Sequence, residues 1–166
     1  MKERTILFND EMVRAILDGR KTQTRRIINP QPNDYHIFPG LESHISWVDI
    51  EAHAFADGAV ACFYYTMRES EDYSCKYGRV GDRLMVRDGI NDLFLLEITD
   101  INVERLKDIS RGDAMEEGCH CPNMAYGPDP RQWFAALWES IYGDGSWDVN
   151  PWVWVIEFRK LEGGAK

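Results

Sequence analysis

The chain has 166 residues, 44% hydrophobic and 28% charged, which suits one domain with its own core and no disulfide staples. Its formal charge of -9 excludes a general nucleic-acid coating protein, which needs a broad basic surface to displace counterions. The apolar runs are too short to span a bilayer, the opening MKERTILF lacks the apolar stretch of a secretory signal, and Cys62, Cys75, Cys119 and Cys121 read as reduced thiols of a cytoplasmic protein.

The first predicted element is a helix over roughly Asp10 to Asp18. Asn9 or Asp10 can cap it, Met12, Val13, Ile16 and Leu17 make its apolar face, and Gly19 stands where a left-handed residue ends a helix. A β-like stretch, Thr22 to Ile28, follows and stops at the prolines of NPQP. Residues 31–78 carry little periodicity, with Ala59 to Met67 as the best strand candidate. A turn at Val80-Gly81-Asp82 leads into a strand from Arg83 to Arg87, and Leu93 to Leu106 reads as a long strand bent near Asp100. Ser110 can cap a short helix through Glu117, with Gly118 as its stop. Asp129-Pro130 starts another helix, whose buried face is Trp133, Phe134, Leu137, Trp138 and Ile141 up to Gly143. Trp152 to Phe158 is a final apolar strand. The order predicts an α+β domain whose mainly antiparallel sheet curls into a barrel with flanking helices.

Charge is unevenly distributed. Residues 1–26 hold seven basic and four acidic side chains, a net of +3, whereas the rest of the chain is -12. A small basic focus on an acidic body fits a compact anionic or polar ligand better than a long duplex. The focus centres on GRKTQTRR, Gly19 to Arg26.

That stretch resembles the signature of the ASCH family of PUA-like proteins, G-x-K-x-x-E-x-R, at Gly19, Lys21 and Arg26, with Thr24 where many members have glutamate. It is closer still to the G-R-K-T-x-T-x-R of one ASCH branch, the bacterial N4-acetylcytidine amidohydrolases. GDRLMV, Gly81 to Val86, is similar to that branch's G-D-x-L-x-V, and VIEF, Val155 to Phe158, to its terminal strand. The three blocks occur in the same order across a single domain spanning 1–166, with residues 30–78 and 119–150 as longer intervening segments. In length and wording the chain resembles the larger ASCH proteins carried by phages and prophages.

The resemblance implies a PUA-like β-barrel and a metal-free, cofactor-free site. It assigns Lys21 as base, Thr24 as nucleophile and Glu117, in DAMEEG, as proton donor, with Glu116 one register away. Gly19, Arg25, Arg26, Arg83 and Arg87 are the accompanying candidates for substrate binding. The chemistry sets two conditions. Lys21 can act as a base only when neutral, so burial and its arginine neighbours must lower its pKa, whereas Glu117 must hold a proton. Residues three apart in a straight strand point to opposite faces, so the chain must bend between Lys21 and Thr24 for the two to cooperate.

The other candidates are weaker. Cys119-His120-Cys121 lacks the paired spacing of a zinc site, and buried thiols usually act as small hydrophobes. Tyr126 and Trp147 sit in predicted loops and are free to line a site. Arg83 and Arg87 share one strand face, which either meets the cavity of Arg26 or faces water. No phosphate-binding glycine loop or serine elbow is present. Two function classes therefore remain: an amidohydrolase acting on N4-acetylcytidine or a related small nucleoside, and a non-catalytic module that binds RNA or a modified nucleoside. The expected partner is accordingly a nucleoside or RNA, with no membrane, no long duplex DNA and a monomeric state.

Overall fold

A run of five buried residues, Trp152 to Ile156, fixes where the layers meet. A strand with one wet face would alternate, so continuous burial means both faces are covered. The computed structural model, which describes residues 1–32, 51–54, 58, 60–66, 69–120 and 127–162, accounts for both covers. In chain order its elements are β1 (Glu3–Leu7), α1 (Asp10–Leu17), β2 (Gln23–Ile27), β3 (Glu51–Ala54), β4 (Val60–Thr66), β5 (Glu69–Ser74), β6 (Arg83–Arg87), β7 (Asp92–Arg105), α2 (Arg111–Glu116), α3 (Pro130–Tyr142) and β8 (Trp152–Lys160).

Five strands form the main sheet in the order β1-β6-β7-β8-β2, and β3-β4-β5 form a second, antiparallel one. All pairings in the main sheet are antiparallel except β1 with β6. The sheet curls into a half-barrel. Its concave side is filled by Ile6, Leu84, Val86, Leu96, Ile98, Trp154 and Ile156. Its other side carries Val153 and Val155 against Leu106, Ile109, Ala114, Phe134 and Trp138, so α2 and α3 form the second cover. The two edge strands meet at one end, where Arg26 of β2 donates from Nη2 to the carbonyl of Leu7 in β1 at 2.8 Å.

The predicted α+β class and mainly antiparallel, curled sheet are those of the structure. The helix ends follow the capping logic: Asn9 accepts from the Met12 N–H, Ser110 from that of Asp113, and Asp129 from that of Arg131. Gly19 and Gly118 have φ of 75° and 107°, the left-handed region expected after a helix. The bend in the long strand is a bulge between Ile98 and Asp100. One expectation fails: α1 is not the first element. Residues 3–7 form β1, which buries fully only Ile6 and so leaves almost no alternation to read. It is held by Asp82, which accepts from the Lys2 N–H at 2.7 Å and from Arg4 at 2.8 Å. Among the described residues no helix is long and apolar enough to cross a membrane.

Candidate functional site

The site forms where the chain leaves α1. After Gly19, Lys21 pairs with Glu117 as an isolated antiparallel bridge, and the Thr22 N–H donates to the Glu116 carbonyl at 2.9 Å. This clamps the end of α2 onto the start of β2. Gly118 makes the approach possible, because a Cβ there would lie 3.1 Å from that of Ala15 and 3.3 Å from that of Lys21.

Lys21 is 1% exposed and Glu117 3%. The Lys21 ammonium donates to Oε2 of Glu117 at 2.6 Å, to the carbonyl of Glu117 at 3.0 Å and to that of Gln23 at 2.9 Å. Removal from water pushes its pKa below the ordinary 10.5; Glu117 opposes this by attraction and hydrogen bonding, while Arg26 and Arg25 add to it by repulsion.

Antiparallel partners share a face, so Thr24, paired with Ile156, and Arg26, paired with Trp154, belong to the barrel side of β2. Gln23 and Arg25 belong to the helix side, with Glu157 and Val155. Arg25 is 3% exposed and makes four side-chain hydrogen bonds: to Glu104 at 2.7 Å, Gln23 at 2.5 Å, Asp113 at 3.1 Å and Oε1 of Glu117 at 3.2 Å. Burial raises the pKa of Glu104, against the pull of Arg25. Glu117 thus holds one cation on each carboxylate oxygen.

A cavity of about 180 Å³ opens beside this pair. Thr24, Arg25, Arg26 and Glu117 line it from the β2 side, Leu7, Phe8 and Met12 from β1, its connection to α1 and α1 itself, and Phe134, Trp138 and Tyr142 from α3. The Arg26 guanidinium lies 5.0 Å from the centre of the Phe8 ring. Two buried donors on the cavity residues, Nε of Arg26 and Nε1 of Trp138, have no hydrogen-bond partner among the described residues. Each such buried, unpaired donor costs about 1–3 kcal/mol. A larger hollow, about 500 Å³, lies elsewhere, between Ile27–Pro30, Asp72–Ser74, Lys76 and Trp154, and has neither the buried ion pair nor Thr24.

Of the residues singled out from the sequence, Thr24, Arg25, Arg26 and Glu117 meet at the cavity, and Lys21 touches it only through Glu117. Glu116 is exposed, and its carboxylate accepts a long contact, 3.4 Å, from Gln23. Three expectations need correction. Arg25 is spent on internal carboxylates, because the helix side of β2 is covered by α2 and α3, and it offers no free fork to a substrate. Arg83 and Arg87 do not line the cavity: Leu84 and Val86 take the inward positions of β6, and Arg87 pairs with Asp92 at the surface. Gly19 borders a separate shallow hollow with Arg20, Thr22 and Met115. Trp147 packs on Phe134 at 6.1 Å, away from the cavity, and Tyr126 lies outside the described residues. Cys119 is buried, His120 is exposed and Cys121 is outside the described residues, among which no group of three metal-binding side chains occurs.

The aromatic wall of the cavity was not singled out from the sequence. Phe134 and Trp138 have the spacing of a core-facing helix stripe, and core packing explains that spacing equally well. Only the placement of α3 across Glu117 distinguishes the two.

A curled, mostly antiparallel half-barrel with few helices is the architecture of an ASCH-like fold. No protein-family model matches the sequence, and no curated protein does. Among solved structures, the ASCH domain from Lactobacillus crispatus JV V101 is similar over 96% of this chain and 79% of its own, with a TM-score of 0.52 at 12% identity. Protein EF3133 from Enterococcus faecalis V583 aligns over 97% of this chain and 80% of its own at 13% identity, with a TM-score of 0.49. The likeness to the Lactobacillus crispatus domain, at 12% identity, shows the fold alone.

Proposed function

We propose that the chain is a metal-independent amidohydrolase that removes the acyl group from N4-acetylcytidine or a related small modified nucleoside. One observation carries this reading: a buried lysine and a buried glutamate sit 2.6 Å apart, with the glutamate lining the same cavity as Thr24. Moving one proton across that contact yields a neutral amine and a carboxylic acid together, the two states the reaction needs. Burial favours the neutral amine of Lys21, the repulsion of Arg26 and Arg25 acts in the same direction, and the attraction and hydrogen bond of Glu117 oppose it.

In the proposed sequence Lys21 accepts the Thr24 hydroxyl proton as Oγ1 attacks the acyl carbonyl. Glu117 gives its proton to N4 as the C–N bond breaks, releasing cytidine and leaving an ester on Thr24. Water then cleaves the ester to the free carboxylic acid, and the proton on Lys21 returns to Glu117. Every bond broken is matched, and neither metal nor redox partner is required. The acidic body favours a free nucleoside over a long polyanion.

A second reading, a non-catalytic module for a modified nucleoside or RNA, is favoured by a different observation. Lys21 does not itself line the cavity, and its three N–H groups are all accepted by protein oxygens. The deciding experiment is incubation of purified protein with N4-acetylcytidine followed by chromatography. Cytidine formed well above the Thr24→Ala background supports the enzyme. None above it leaves only the binding module.

A further inference from the structure

We propose that Arg25 is a positioning residue: anchored by Glu104 and Asp113, it holds one oxygen of Glu117 and so turns the other to Lys21. The inference rests on Glu117 being the proton donor of the amidohydrolase reading. It adds three residues that act through that carboxyl without touching the substrate.

The anchorage follows from where the sequence puts each group. Asp113 and Glu117 are four residues apart along α2 and its C-terminal cap, so their side chains fall on one face, which Glu116 does not share. On the sheet, Arg25 in β2 is paired with Val155 and Glu104 in β7 with Val153, both on the helix side of β8. The two valines are short, so the long Arg25 and Glu104 side chains meet over them. One oxygen of Glu104 lies 2.7 Å from both Nε and Nη2 of Arg25. Nη2 also donates to Asp113 at 3.1 Å and Nη1 to Gln23 at 2.5 Å, while the guanidinium carbon lies 5.9 Å from the centre of the Phe134 ring.

The consequence for Glu117 is geometric. A carboxyl turns readily about its last bond, because that torsion has broad wells. Lys21 on Oε2 at 2.6 Å and Arg25 on Oε1 at 3.2 Å engage both oxygens at once, so the carboxyl keeps one orientation. Arg25 does this from behind the cavity: its side chain has no exposed surface, so it binds no substrate. Its charge also repels a proton on Lys21, the direction that a base requires. Glu104 and Asp113 are partly exposed, line no part of the cavity and give Arg25 two carboxylates besides Glu117. Without them Glu117 is the one carboxylate left to the guanidinium among the described residues, and Arg25 draws it off Lys21.

The test compares wild type, Arg25→Lys and the double variant Glu104→Gln, Asp113→Asn in the hydrolysis of N4-acetylcytidine. The parameters kcat and KM are measured at a temperature where circular dichroism shows each protein folded. Arg25→Lys keeps the charge but cannot span the same acceptors. Both variants should lose about tenfold or more in kcat and hold KM within about threefold. If Arg25→Lys does not fold, the double variant, altered only at partly exposed positions, decides alone. A folded variant with the wild-type kcat, or a loss confined to KM, overturns the inference and leaves the enzyme reading standing. No Thr24-dependent turnover by the wild type removes the enzyme reading, and this inference with it.

Discussion

Glu117 grips Lys21 with one carboxylate oxygen, at 2.6 Å, and Arg25 with the other, at 3.2 Å, in a setting where all three residues are at most 3% exposed. A single carboxylate therefore joins the segment before β2 to the end of α2 and opposes the loss of charge that burial imposes on Lys21. Removing it leaves the buried Lys21 ammonium without a carboxylate and Arg25 with Glu104 and Asp113 alone. Glu117→Gln should cost about 3–5 kcal/mol in urea unfolding. The double variant Lys21→Met, Glu117→Gln should regain part of that loss. A Glu117→Gln protein as stable as wild type would mean the pair carries little energy.

The lowered pKa of Lys21 has a sign in stability. Below its folded pKa the buried ammonium burdens the native state in full. Between that value and the unfolded 10.5 the unfolded chain binds more protons, so stability rises with pH. The stability of wild type minus that of Lys21→Met should therefore increase toward alkaline pH and level off near 10.5. Chemical denaturation at stepped pH measures it, and a flat difference would show that Lys21 is not perturbed.

Gly118 is where two segments touch. An alanine there would place its Cβ 3.1 Å from that of Ala15 and 3.3 Å from that of Lys21, on a backbone with φ of 107°. Gly118→Ala should lose about 1–3 kcal/mol and depress turnover, because Lys21 and Glu117 shift together. Gly19→Ala is the control: its Cβ meets nothing within 4 Å, so any loss there comes from φ alone.

Two neighbouring arginines should respond differently. Arg25 is held by Glu104, Asp113, Glu117 and Gln23, so Arg25→Met should destabilise by several kcal/mol. Arg26 is partly exposed and bonded to one carbonyl, so Arg26→Met should fold with a small loss and bind nucleoside more weakly. Equal behaviour of the two in melting and binding would contradict this division.

Much of the frame was legible because it rests on local chemistry. Asn9, Ser110 and Asp129 are caps, Gly19 and Gly118 are left-handed stops, and β6 alternates as Leu84 and Val86 alternate. β1 was not, since a strand with one buried residue owes its existence to Asp82 and β6, nearly eighty residues away. The bridge from Lys21 to Glu117 was hidden as well, since it joins residues 96 apart. The fate of Arg25 was hidden for the same reason. Whether an arginine faces a ligand or three carboxylates depends on which helices cover its strand. Arg83 and Arg87 were read on the correct face of β6, but that face turns away from the cavity.

The central claim is that the Lys21–Glu117 pair serves the hydroxyl of Thr24. The most direct test is the rate of cytidine release from N4-acetylcytidine by wild type, Thr24→Ser and Thr24→Ala under identical conditions. Serine keeps the nucleophile and should stay within about tenfold of wild type, whereas alanine should lose about a thousandfold or more. Equal rates in all three, or no release by the wild type, would contradict the account.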